Sequence, residues 1–565
     1  MHLRTDFQFW EKIGFALACV FVASLIWITS YIPQSDGYYH AMNARFIVDL
    51  LTGDCPLTAQ LYQFNDRLVP NWTGHAFMAL LIYLGSSVMM AEKILMSACM
   101  VLPATGFRFL LRKSGANPLY SWIMLAQGLN VFAVMGVYNY LLGLALGLYV
   151  IGLYIHNREK NWTLPVACLL SALLVATWFS HLLGVFVAGL FIALSEAKPF
   201  LSAIRNKTDL RVYLRARAGL IAAFLPVVLL SVIYLLQDFS QFSLYGDYGV
   251  AEEGLRLVRR FLSLGFLQGS LPNIDLELTI VQYLFSVLTL LAILWTARTK
   301  QRPLFFSLPL ACAFILVLLA IATNNVSLMG GWWIGERLLL PAWLFLLFAA
   351  SGAIRPAYRP FILAVAFVLL SSNIHWLQRI SDARREIAQD ILAATPGIES
   401  NSLILNLPLS AGSSFQSLTN LVSEGRSCIV NVANYEAASE IFPLRYCVDT
   451  TFLPISESLF RVPGTGSYMS GILPLAEAAD PDRFTARNNL PSISRIYVWG
   501  DLGALRREVS AKRKPFHSQY FDAHHRTFAN DLLQNIVERR KLLYEYSYRE
   551  QPYLRIYGEQ DKGRP

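Results

Sequence analysis

Charge is scarce in this chain. Asp, Glu, Lys and Arg make up 15% of its 565 residues, against about 25% in a soluble domain. A chain this poor in charge, and 55% hydrophobic, is not soluble along its whole length. Cysteine is sparse too: there are seven, none in a CxxC or Cys/His spacing, which excludes zinc-finger and thioredoxin-type motifs. Also missing are a phosphate-cradling glycine loop, a nucleophile elbow, a nucleic-acid motif and an internal repeat. Those absences remove the common nucleotide-dependent and nucleic-acid-binding classes and weaken a repeat-built transporter. The net charge of +9 says little about partners, because membrane proteins gather Lys and Arg in cytoplasmic loops.

What the sequence has is long apolar runs, recurring from residue 14 to residue 376. Many approach or exceed the roughly 20 residues that span a bilayer. The first, Ile13 to Ile32, is followed by no small-residue cleavage site and reads as a retained helix. Beyond residue 376 the composition is mixed. Two parts follow: a transmembrane domain over 1–377, with its first outer loop at 33–73, and a soluble domain over 378–565, about 190 residues long. Cys19, Cys99, Cys168 and Cys312 fall in apolar spans; Cys55, Cys428 and Cys447 do not. Cys428 and Cys447 are candidates to pair if their domain faces an oxidising compartment.

Loop charge orients the chain. Lys198, Arg205, Lys207, Arg211, Arg215 and Arg217 mark one cytoplasmic loop, and 156–161, 297–303 and 354–360 are basic as well. The connections 31–74, 238–275 and 324–337 then face outward, and Pro360 to Leu377 carries the soluble domain out. Leu119 to Ile155 and Leu164 to Leu194 are each long enough to cross twice, turning near "VMGVYNY" and "TWFSHLL". Residues 75–111 fit poorly: two crossings leave Arg108, Arg112 and Lys113 outside, and one helix is overlong. The expectation is about 11 to 13 spans, an odd number.

Asp36 follows the first span directly. Behind it Met42, Phe46, Ile47, Leu50 and Leu51 form one apolar stripe, with His40, Asn43, Arg45 and Asp49 opposite. That period predicts a helix, ending at Gly53 and lying flat on the membrane. Alone, Asp36 fits a helix N-terminus. A carboxylate at headgroup depth is also a mark of function.

This layout resembles the GT-C glycosyltransferases, whose members include protein mannosyltransferases and lipid A aminoarabinose transferases. Those enzymes have one span, an outer loop opening on an acid, a bundle, and in many cases an outer C-terminal domain. Pro70, Gly85, Lys93, Arg112 and Gly115 stand where the family shows proline, glycine, a basic residue, a basic patch and glycine. "GERLLLPAWLFLLF" (335–348) resembles a late family span. The sequence departs from the family at Gly37, which follows Asp36 where many members repeat the acid. It departs again at Lys93 in place of arginine, and at Tyr138, Asn139 and Tyr140 where a second acid is often found. The resemblance implies a polytopic α-helical bundle with a C-terminal soluble α/β or α+β extracytoplasmic domain. It also implies sugar transfer from a polyprenyl phosphate to a glycan, lipid or protein, in a multi-pass protein of a bacterial inner membrane.

Such transfer needs a base, a cation for the departing phosphate and a path for the lipid. The resemblance makes Asp36 the base. Arg337, His40 and Lys93 are the candidates for the donor phosphate. His181, Tyr138, Asn139, Tyr140, Glu336, Trp332 and Trp333 are the candidates to line the cavity. Each has a plainer reading: a snorkelling arginine, an interfacial tryptophan pair, a histidine bonded between helices. One Asp and one His do not make a metal site, so no metal ligand is assigned and any cofactor is left open. In the soluble part "SLILNLP", "SCIVNVA", "SRIYVWG", "KLLYEYSY" and "YLRIYG" read as strands; 380–394, 501–512 and 524–540 read as helices. Two rivals remain: an O-antigen polymerase or ligase, and a non-enzymatic transporter or scaffold. Convergence of Asp36, His181 and Arg337 on one outward cavity would discriminate against the transporter, whose polar residues belong at mid-membrane.

Overall fold

The computed structural model describes residues 2–32, 36–160, 162–205, 207–237, 242–244, 303–323, 326–328, 334–353, 359–393, 398–408, 416–423, 428–432, 443–447, 481–499, 536, 539–548, 551–559 and part of 255–262. The first half runs α1 (His2–Ile28), α2 (Gly37–Thr52), α3 (Pro56–Leu61), β1 (Tyr62–Phe64), α4 (Thr73–Tyr83), α5 (Val88–Lys113), α6 (Ser121–Ala126), α7 (Val131–Met135) and α8 (Tyr138–Asn157). Next come α9 (Leu164–Ser180), α10 (Leu182–Arg205), α11 (Lys207–Gln237), β2 (Phe242–Leu244), α12 (Pro303–Thr323), β3 (Val326–Leu328), α13 (Ile334–Ala350) and α14 (Arg359–Ala393). Six stretches are long and apolar enough to cross a bilayer, and four shorter apolar helices accompany them among the described residues. The protein is an integral membrane helical bundle.

The awkward 75–111 segment resolves into one crossing. The short α4 is followed by a turn at Gly85, whose φ of 97° suits glycine, and Ser87 caps α5 by accepting from the Met90 N–H. Lys93 Nζ donates to the Thr29 carbonyl at 2.7 Å, so α5 begins beside the end of α1. It finishes beside the start of α1, where Arg108 grips both carboxylate oxygens of Glu11 at 2.7 and 2.6 Å. One end of the bundle therefore carries Asp36 and is called the upper end here; Arg112 and Lys113 lie at the lower end.

The two expected turns fall at the upper end. Between α7 and α8 the chain turns at Gly136, and between α9 and α10 it breaks at His181. Helices α8 and α10 approach closely because Gly143, Gly147 and Gly184 face one another. A Cβ on Gly147 would sit 2.8 Å from the Gly184 carbonyl, and one on Gly143 2.9 Å from His181 Cβ. Small residues four apart allow such a crossing.

The C-terminal region contains β4 (Ser402–Pro408), β5 (Ile429–Asn431), β6 (Leu444–Tyr446), α15 (Pro481–Arg487), β7 (Ile493–Trp499), β8 (Arg540–Tyr548) and β9 (Gln551–Glu559). Five of these strands make one mixed sheet in the order β5-β4-β7-β9-β8, parallel across β5-β4-β7 and antiparallel thereafter. All five expected strands are in it. The helix expected at 380–394 is not separate: α14 continues from the last span to Ala393, through the 377/378 boundary. The helix expected at 501–512 and most of the one expected at 524–540 lie outside the described residues, as do Trp332, Trp333 and most of the 238–275 loop; Arg540 begins β8.

Two expectations need correction. The first is α2, whose polar side is not in water. Gly37 to Ala44 and Phe46 to Asp49 are buried, between α4 and α5 on one side and the turn at Gln416–Ser423 on the other. Periodicity identified the helix but could not show that a second layer covers its polar face. Gly53 does cap it, at φ 78°. The second correction concerns Cys428, which pairs with Cys55 and not with Cys447. The bond joins the first loop to the sheet. Strand β1 also pairs with β6, Tyr62 opposite Tyr446, and Tyr62 Oη donates to the Asn431 carbonyl at 3.0 Å. The C-terminal region is thus stitched onto the loop that carries Asp36. In oxidised membranes a maleimide is expected to label exposed Cys447 at once, and Cys55 and Cys428 only after reduction. Labelling of Cys428 without reductant would contradict the pairing. Replacing both bonded cysteines with alanine is expected to cost about 2–4 kcal/mol.

Candidate functional site at the upper end

Four elements meet at the upper end: the start of α2, the start of α4, the α7–α8 turn, and the α9–α10 break with the start of α13. Asp36 is the half-buried residue just before α2. Its backbone N–H donates to the Met135 carbonyl at 3.1 Å. Gly136 packs so tightly on it that a Cβ there would fall 2.6 Å from Gly37 N. That contact fixes Asp36 against the segment that continues into Tyr138, Asn139 and Tyr140.

These three residues act as struts. Tyr138 Oη donates to Glu92 Oε1 at 3.0 Å. Asn139 accepts from the Gly74 N–H at 2.7 Å and donates to the Asn71 carbonyl at 2.8 Å, tying α8 to α4. Tyr140 Oη donates to the Arg337 carbonyl. Its ring stands edge-on to His181, centroids 5.6 Å apart. A fourth strut is Trp72, whose backbone N–H donates to the Phe179 carbonyl at 2.8 Å and brings the start of α4 to the α9–α10 break.

His181 and Arg337 form the most informative pair. The Leu183 N–H donates to His181 Nδ1 at 3.1 Å. That bond caps α10. Arg337 Nη1 lies 3.0 Å from His181 Nε2. A guanidinium only donates and a neutral imidazole accepts at one nitrogen, so the Leu183 N–H and Arg337 compete for the single lone pair of His181. The Arg337 charge at this end is suited to an anionic oxygen. His40 is buried, with Nδ1 3.1 Å from His75 Nε2, and it feels the Arg337 charge. Glu336 is buried beside Arg337 in the first turn of α13. Of the sequence candidates, His181, Arg337, Tyr138, Asn139, Tyr140, His40 and Asp36 gather at this end. Lys93 is half-buried against Thr29, at the end of α1. His75 was not singled out from the sequence. Its signal was a histidine two residues after "NWT", within an otherwise apolar helix start. Among the described residues there is no group of three or more His, Cys, Asp or Glu able to hold a metal ion.

Burial, His75 and Arg337 hold His40 well below the ordinary imidazole range; burial and Arg337 do the same to His181. Both are therefore neutral when folded at neutral pH. Unfolded, they bind protons below about pH 6.5. The unfolded chain then holds more protons, so stability falls as pH drops through that range. Thermal unfolding is expected earlier at about pH 5.5 than at about pH 7.5, and His181→Gln is expected to flatten the difference. An unchanged pH response in that variant would contradict the assignment.

The fold and site define a polytopic membrane bundle with a polar cluster at one end and a mixed sheet stitched over it. No protein-family model and no curated protein matches the sequence. Solved structures it is similar to include an oligosaccharyltransferase of Archaeoglobus fulgidus, in complex with zinc and sulfate. That match has a TM-score of 0.43 and 10% identity, covering 97% of this chain and 73% of that one. Another is ArnT of Cupriavidus metallidurans in the apo state, with a TM-score of 0.43 and 10% identity over 98% of each chain. The same ArnT bound to undecaprenyl phosphate gives 0.38 and 8%, covering 97% of this chain and 98% of that one.

Proposed function

We infer that the protein is a membrane glycosyltransferase of the GT-C kind. It moves a sugar from a polyprenyl phosphate to a glycan, lipid or protein acceptor on the outer face. The observation that carries this reading is the Arg337 guanidinium, held 3.0 Å from His181 Nε2 at the end where Asp36 opens α2. A leaving phosphate is the anion that charge suits.

In the reaction, Asp36 removes the proton of the acceptor hydroxyl. The freed oxygen bonds to the anomeric carbon. The bond from that carbon to the phosphate oxygen breaks, and its electron pair leaves with the polyprenyl phosphate. Arg337 meets the negative charge as it develops. One displacement inverts the anomeric centre. Arg112, Lys113, Arg158, Lys160, Lys198 and Arg205 cluster at the lower ends of their helices, which supports a cytoplasmic lower end. A disulfide at the upper end fits an oxidising outer compartment. The sheet domain is then extracytoplasmic and closes over the acceptor side. Polar residues gathered at helix ends, not at mid-helix, favour this reading over a transporter.

The test is transfer from a radiolabelled polyprenyl-phosphate sugar in membranes holding wild type or Asp36→Asn. Wild type is expected to transfer and Asp36→Asn to fall by about 100-fold or more, the scale of a lost general base. Full transfer by the variant would remove Asp36 as the base.

A further inference from the structure

We propose that His75 is a positioning residue that holds His40 with its Nε2 unprotonated, so that His40 receives the proton collected at Asp36. The argument is a chain of bonds with one direction. His75 Nδ1 lies 2.9 Å from the Asn71 carbonyl oxygen. A carbonyl only accepts, so His75 carries its proton on Nδ1 and has a bare Nε2. His40 Nδ1 lies 3.1 Å from that bare nitrogen, so His40 must donate from Nδ1. The lone pair of His40 is then on Nε2.

The anchor of the chain is over-determined. Asn71 has φ 65°, a backbone conformation that non-glycine residues adopt at a cost and that is often kept at functional sites. Its carbonyl accepts from Asn139 Nδ2 as well as from His75. Asn139 in turn accepts from the Gly74 N–H, and a Cβ on Gly74 would come 2.9 Å from Asn139 Oδ1. Nothing about capping α4 requires this much fixing of one imidazole. His40 follows Asp36 by four residues, and its backbone N–H donates to the Asp36 carbonyl at 3.2 Å. One helical turn thus separates the base from the imidazole.

The inference rests on the glycosyl-transfer reading for the origin of the proton. The acceptor O–H bond breaks and Asp36 takes the proton. An N–H bond then forms at His40 Nε2 and Asp36 is again a carboxylate. The new imidazolium charge is balanced by the charge left on the phosphate. Until that charge appears, Arg337 and burial oppose protonation of His40, which keeps it a neutral acceptor through donor binding. Glu92 reaches the same region through Tyr138, whose ring lies 6.1 Å from that of His40.

The experiment is ¹⁵N NMR of the full chain, labelled at the histidine imidazoles, in lipid nanodiscs. His40→Gln, His75→Gln and His181→Gln assign the signals. At neutral pH His40 is expected to show a protonated Nδ1 and a bare Nε2. A protonated Nε2 on His40 would overturn the proposal. Kinetics form the second arm. His75→Phe is expected to lower kcat by about 10- to 100-fold with little change in KM. His75→Gln, which keeps an acceptor for His40 Nδ1, is expected to stay within about threefold of wild type. Equal losses in the two variants, or none in the Phe variant, would assign His75 to packing and overturn the role. If wild type transfers no sugar while the tautomers are as described, the glycosyl-transfer reading fails and the hydrogen-bond assignment stands.

Discussion

Arg337→Ala is expected to lower sugar transfer by about 100- to 1,000-fold, the scale seen when a donor to a developing anion is removed. Its stability is expected to fall by only about 1–3 kcal/mol, the scale of a lost charged hydrogen bond to His181 from a half-buried side chain. The bond from Tyr140 that fixes the start of α13 goes to the Arg337 carbonyl, which alanine keeps. Activity and stability should therefore separate, which is not how a packing residue behaves. Arg337→Lys restores the charge but not the planar fork, so recovery is expected to be partial. His40 and His181 should both titrate higher in Arg337→Ala, because that charge helps to hold them low. An alanine variant with full transfer would place the phosphate elsewhere.

Gly136→Ala has the second large effect. Gly136 sits at φ 83°, where an L side chain is strained. An added Cβ would also meet Gly37 N at 2.6 Å and Gly37 Cα at 2.9 Å. Those are backbone atoms and cannot swing aside. The α7–α8 turn must then part from the start of α2, taking Asp36 from its place beside Met135. The expected cost is about 2–4 kcal/mol. Transfer should fall by at least about tenfold even in variant protein that remains folded, since small displacements at a reacting group are costly. Thermal unfolding and transfer on the same preparation check both. Gly85→Ala is the matched control: φ is also positive, but nothing lies within 4 Å of the added carbon. It should lose stability through strain and keep its activity. A Gly136→Ala protein with wild-type transfer would show that the contact does not matter.

Much of this was legible from local pattern. The five strands of the sheet were each an apolar or β-branched run, and Gly53 was a plain helix stop. The turns at Gly136 and His181 followed from run length alone. Charge placed them at the same end as Arg337. What was not legible depended on contacts between distant parts of the chain. Cys55 and Cys428 are 373 residues apart, and no spacing rule connects them. The pairing of β1 with β6 joins two three-residue segments, too short to give a period. The polar face of α2 looked like a water-facing surface because the sequence does not say what lies over it. His75 was overlooked for the same reason: its partners, Asn71 and His40, matter only once α4 has folded back beside α2. The Gly143–Gly147 spacing was available and signals a close helix crossing. Read with His181, it would have put Tyr140 and His181 in contact from sequence.

The most direct measurement uses a photoreactive polyprenyl phosphate, cross-linked to wild type and to Arg337→Ala in membranes, with the labelled peptides identified by mass spectrometry. Wild type is expected to label at the upper end, on peptides holding His181 or the start of α13, and Arg337→Ala to lose most of that label. Equal labelling of the two proteins, or label concentrated at the lower end around Arg112 and Lys113, would contradict a lipid phosphate seated at Arg337.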